Sequence, residues 1–129
     1  METIPAGQLW TGRILSGIAV AFLLVDAAGK LMQVAPVMEG SVQLGYPAST
    51  VVPMGVLLLV GVVLYVVPRT SVLGAIWLAA YLGGAVATHV RVGNPLASHV
   101  LFPVYVAAFV WGGLALRNPR LMALLTRGQ

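Results

Sequence analysis

The side chains able to do acid–base chemistry in this chain are few, and many of them are gathered. Between Gly83 and Pro103 the stretch GGAVATHVRVGNPLASHVLFP holds His89, Arg91, Asn94 and His99. Imidazole can both donate and accept a proton near neutral pH, so the two histidines carry the most chemical potential. Asp26 and Lys30 stand four residues apart with the acid first, the spacing that pairs them on one helix face. Tyr46, Tyr81, Thr88 and Tyr105 add hydroxyls. Together these groups offer hydrogen bonds to a carbonyl or headgroup, with Asp26 as proton acceptor or counter-charge and Lys30 or Arg91 as anchor for an anionic or carbonyl-bearing ligand. Each also has a plainer use, as an interfacial ion pair, a hydrogen-bonded boundary histidine or a packed aromatic.

Other chemistries find no footing. His89 and His99, even with Asp26 as a third ligand, lack a zinc spacing, so no metal is expected. Nothing specific points to haem held by His89, His99 or Tyr105. There is no P-loop, GxSxG elbow, HExxH or dinucleotide glycine fingerprint, which argues against a nucleotide-driven enzyme. With no cysteine the chain has no disulfide or thiol relay, and redox chemistry would need a bound cofactor or a partner.

The elements that position these groups follow from composition. Of 129 residues 60 % are hydrophobic and 8 % charged, mean hydropathy is +0.98, and an ordinary soluble domain has roughly 25 % charged residues. Lipid must act as the solvent. Four apolar segments, residues 12–33, 50–67, 71–90 and 98–116, are each near the ~20 residues that cross a ~30 Å hydrocarbon layer. The first continues past Asp26 and Lys30, so it is expected to be a retained helix rather than a signal peptide. Pro36, Gly40 and LGYPAS (Leu44–Ser49) break the first connection, Pro68 with Arg69 the second, and VGNP (Val92–Pro95) the third. Short turns force antiparallel neighbours, and Gly61, Gly74, Gly83 and Gly84 would allow close helix approach. The expected fold is an all-α integral-membrane four-helix up-down bundle, one transmembrane domain over residues 1–129.

Counting along those helices brings the polar groups to one level. From Arg13, Asp26 lies ~20 Å and Lys30 ~25 Å along the first helix, and from Ser71, His89 lies ~27 Å along the third. His99 opens the fourth helix at that end, with the loop residues Tyr46, Arg91 and Asn94. Tyr81 and Thr88, seven apart, share the face leading to His89, and Tyr105 sits just inside the fourth helix. Trp10, Trp77 and Trp111 suit helix packing and the interface. Arg13, Arg69, Arg117, Arg120 and Arg127 flank the opposite end against Lys30 and Arg91 here, which places both termini in the cytoplasm of a cell inner membrane and the polar cluster at the outer face. The net charge of +4 is too scattered for a nucleic-acid surface.

LGYP at Leu44–Pro47, PRTSVLGAI at Pro68–Ile76, YLGGAVATHVRVGNP at Tyr81–Pro95, SHVLFPVY at Ser98–Tyr105 and LRNPRL at Leu116–Leu121 resemble the DoxX-like family of small bacterial membrane proteins. The resemblance covers nearly the whole chain and is most specific from Tyr81 to Tyr105. It implies a four-helix membrane bundle, and the family's name comes from a membrane subunit of a thiosulfate:quinone oxidoreductase. Its recurring positions fall on Lys30, Tyr46, Pro47, Arg69, Gly83, Gly84, His89, Arg91 and His99. Many relatives carry a glutamate about ten residues before the Pro-Arg-Thr turn, where this chain has Leu58. A proton relay needing that carboxylate would be missing here, leaving Asp26 as the membrane-embedded acid.

The functional expectation is a pocket between helices, an aromatic wall under a polar lid, that takes a quinone or other amphipathic ligand in a redox-associated role. The alternative is a non-catalytic assembly or scaffold subunit whose glycine-lined faces pack against a second copy or a membrane partner. A small-solute carrier has no broken helix or inverted repeat to recommend it.

Overall fold

The computed structural model describes residues 4–127, and among them every regular element is helical. Four helical segments are long and apolar enough to cross a membrane. They are built on α1 (Ala6–Leu31), α3 (Val51–Val66), α4 (Ser71–Arg91) and α5 (Phe102–Arg117), with short α2 (Ala35–Gln43) and α6 (Pro119–Arg127) at opposite ends. The spans close a ring in which α1 packs on α3, α3 on α4, α4 on α5 and α5 on α1. The chain is a membrane protein built as an all-α bundle.

Lipid tails are as apolar as leucine, so close packing and interhelical hydrogen bonds must hold the ring together. Small residues supply the first. The buried stripe of α1 is Gly12, Ser16, Ala19, Leu23 and Ala27, at spacings of three or four. A Cβ on Gly12 would strike the Gly113 carbonyl, and one on Gly113 would strike Ser16, so α1 and α5 touch backbone to backbone. Gly74 does the same for α4, which lies against the backbone of Tyr65 on α3. Gly61 gives room to Trp77 and Leu78. Gly83 and Gly84 depart from expectation: a Cβ on either would meet nothing within 4 Å, so neither is at a helix contact within the chain.

Interhelical hydrogen bonds use carbonyls that glycine uncovers. The Tyr65 hydroxyl, buried at 2 % exposure, donates to the Val110 carbonyl one turn before Gly113. The Trp77 indole donates to the Leu57 carbonyl one turn before Gly61, at 2.8 Å. A further chain of bonds runs from Arg117 through Nη2 to Ser16 Oγ at 2.9 Å, and from Ser16 to the Tyr65 hydroxyl at 2.7 Å. Because Arg117 only donates and the Tyr65 proton goes to Val110, Ser16 is the donor to Tyr65. The direction of the whole chain is thereby fixed.

Two short helices and one turn were not expected. Pro36 lies in the first turn of α2, where its missing N–H costs nothing, so it starts a helix where a break is expected. Gln33, at φ 52°, turns the chain over the end of α1, and Gly29 leaves room for Val37. Before α5 the segment Leu96–Val100 forms a wide turn in which the Val100 and Leu101 amides reach the carbonyls five residues back. Pro103 cannot donate to the His99 carbonyl, and its ring crowds that carbonyl; the widened turn accommodates both.

Candidate functional site

At the α2 end the four spans surround a cavity of about 380 Å³, within the range of small-molecule sites. Its polar wall is Asp26, Lys30, Tyr46, Tyr81, Thr88 and His89, joined by Ser41. The apolar wall includes Phe22, Leu23, Met54, Leu57, Phe102 and Val106. Six of the ten side chains singled out in the sequence thus converge on one hollow, and they come from α1, α4 and the loop after α2.

Each is held by identifiable contacts. Lys30 pairs with Asp26 along α1, the ammonium side chain at 14 % exposure and the carboxylate at 30 %. Pairing of this kind is how ionisable side chains are accommodated within a span. Thr88 donates to the Gly84 carbonyl one turn back at 2.8 Å, so its oxygen accepts the Tyr46 hydroxyl at 2.6 Å. Arg91 donates to the Leu44 carbonyl at 2.8 Å, and its guanidinium lies over Gly45, whose φ of +93° and missing side chain permit both the turn and the close approach. These two bonds latch the loop after α2 onto α4 and hold Tyr46 over the cavity.

His89 is oriented from behind. Asn94 Nδ2 donates to its Nδ1 at 2.7 Å, which puts the ring proton on Nε2, and the Asn94 amide N–H bonds the His89 carbonyl. Gly93, at φ +73°, makes that return turn. The His99 ring stands edge-on to His89 with centroids 5.7 Å apart, carried there by the wide turn and bonded through Nδ1 to Ser98. His99, Arg91 and Asn94 therefore support the wall from outside the cavity lining.

Of the four tyrosine hydroxyls, those of Tyr46, Tyr65 and Tyr105 are hydrogen-bonded within the protein. Among the described residues the Tyr81 hydroxyl is the one without a hydrogen-bond partner in the protein, and Tyr81 lines the cavity together with Asp26 and Tyr46. Tyr105 lies elsewhere: its hydroxyl bonds the Ala97 carbonyl, and its ring lines a second, wholly apolar groove of about 190 Å³ with Ile18, Ala19 and Phe109. The groove and the cavity share Phe22, Phe102 and Val106, and the two phenyl rings meet edge to face at 5.1 Å. Among the described residues no three His, Asp or Glu side chains converge as metal ligands.

The contributions of Ser41, Phe22 and Met54 are not marked by any motif, while Phe102 lies within SHVLFPVY without having been singled out. Phe22 and Asp26, at i and i+4, were nonetheless a visible stripe on the first helix.

The model of the DoxX-like family matches residues 14–113, which takes in every lining residue of the cavity. The chain belongs to the DoxX-like family. No curated protein and no solved structure matches it. Of the positions marked by the resemblance, this DoxX-like protein places Lys30, Tyr46, Gly84 and His89 on the cavity, and Arg69 in the turn at the opposite end. Leu58, where the resemblance implies a glutamate, is fully buried in the core, so a carboxylate there would be enclosed by the bundle.

Proposed function

We propose that this DoxX-like protein binds a quinone or a similarly built amphipathic ligand, in association with a redox partner that exchanges electrons with it. The observation that carries this is that a polar-walled cavity and an apolar groove lie side by side, with Phe22, Phe102 and Val106 as their common wall. A headgroup fits the first and a prenyl or acyl tail the second. His89 Nε2–H and the Tyr81 hydroxyl are the donors for a headgroup carbonyl, Asp26 is the group that accepts a proton, and Lys30 holds that carboxylate in place. The arginine-rich α6 end faces the cytoplasm of a bacterial inner membrane in this reading, with the site at the outer face.

Extraction of the gently solubilised protein followed by mass spectrometry and absorption spectroscopy tests the proposal. A prenylated quinone or other prenyl lipid is expected in near-stoichiometric amount, and His89→Ala should weaken its retention about ten-fold, the worth of one hydrogen bond in a sheltered site. A purified protein with no such lipid, together with no effect of His89→Ala, overturns it.

A scaffold or assembly role has one specific observation in its favour, the open position of Gly83 on α4, which lies outside the cavity lining. Such positions let a second helix approach closely.

A further inference from the structure

The opposite end of the bundle carries a second amphipathic feature, independent of what fills the cavity. Helix α5 ends at Arg117 because Asn118 leaves helical geometry, at φ −130° and ψ 98°. Its side-chain carbonyl then accepts the Leu121 N–H at 3.1 Å, and Pro119 occupies a position where no N–H is needed. The capped α6 therefore sets off on a new axis, fastened to the bundle by Leu121, at 6 % exposure, and by Met122.

On α6, Leu121, Leu124 and Leu125 fall within an arc of roughly 100°, with Arg120 and Arg127 together on one flank. Leu121 is spent on the bundle, yet Leu124 and Leu125 are each 57 % exposed. Pointed at water, these two side chains would be a liability; beside a transmembrane bundle, an acyl layer is within reach. The charge around them is one-sided. Arg13, Arg69, Arg117, Arg120 and Arg127 lie at this end, while the described acids Asp26 and Glu39 lie at the other. Arg117 is already engaged by Ser16 and the Gly113 carbonyl, and Arg13 stacks over Trp10 at 4.9 Å. Arg120, exposed like Arg127, has no such partner among the described residues.

We propose that α6 lies in the plane of the membrane surface as a clamp for anionic phospholipid, with Leu124 and Leu125 in the acyl boundary and Arg120 and Arg127 on lipid phosphates. Helices of this pattern sit at the headgroup level, and their arginines favour anionic leaflets.

The chain has no cysteine, so single substitutions report cleanly. The full chain carrying an environment-sensitive fluorophore at Leu125→Cys, and separately at Thr126→Cys, is reconstituted in phosphatidylcholine vesicles with or without phosphatidylglycerol, and quenching by neutral acrylamide is measured. With phosphatidylglycerol present, the 125 probe should be shielded and the 126 probe not. Replacing Arg120→Gln and Arg127→Gln should lower the docked-to-undocked ratio about five-fold each, as should part of that loss at high salt. Equal shielding in both lipids overturns the anionic preference. Quenching of the 125 probe as in water overturns the docking. Shielding that rises with protein density, together with energy transfer between probes, overturns it in favour of a second copy of the chain.

Discussion

At the residue scale the two ends of the bundle use hydroxyls differently. At the α6 end the hydroxyls of Ser16 and Tyr65 are both bonded within the protein, between Arg117 and the Val110 carbonyl, whereas at the α2 end Tyr81 lines a cavity with its hydroxyl unpartnered among the described residues. The first arrangement stabilises and the second is available to a ligand. Tyr65→Phe keeps the ring packing but strands the Ser16 proton, and should cost about 1–3 kcal/mol in denaturant unfolding of the solubilised protein. An unchanged unfolding midpoint would show that this chain of bonds contributes nothing. Its members lie 49 and 101 residues apart, and no spacing rule joins them, so they were invisible in the sequence. The α2-end cluster was legible because helix counting gives the level of a side chain. It does not give the rotation of a helix about its axis, which is why Tyr105, at the right level, lies on the groove rather than in the cavity.

At the scale of elements, glycines divide into those that seat a neighbour and those that do not. Gly74→Ala drives a Cβ into the Tyr65 backbone and must separate α3 from α4, a change worth about 1–3 kcal/mol of stability. Gly83→Ala meets open space and should be neutral or stabilising by up to ~1 kcal/mol through helix propensity. Parallel unfolding curves measure both. If Gly83→Ala instead dissolves a crosslinked oligomer in native membranes, the scaffold role gains over ligand binding. The apolar runs and the turns at Pro68 and Asn94–Pro95 made four spans readable. Helix α2 was hidden because Pro36 reads as a breaker until its position in the first turn is known. Helix α6 was hidden because nine residues with three arginines nearby read as a charged flank, although the leucine spacing was already there.

For the whole molecule, the antiparallel ring puts Gln8 of α1 against the Leu116 carbonyl of α5, so both described ends share one face. The arginine bias predicts that face to be cytoplasmic. A single cysteine at Thr126 should react with a membrane-impermeant maleimide only after intact cells are opened, and one at Gln43 before; the reverse pattern would invert the site to the inner face. The common wall at Phe22 and Phe102 has a consequence for how binding is to be quantified. A ligand whose tail lies in a groove on the lipid side reaches the site by diffusing within the leaflet, so occupancy is set by its mole fraction among lipids. Doubling the lipid at fixed ligand and protein should nearly halve the occupancy of a sparsely filled site even though the amount of ligand in the tube is unchanged.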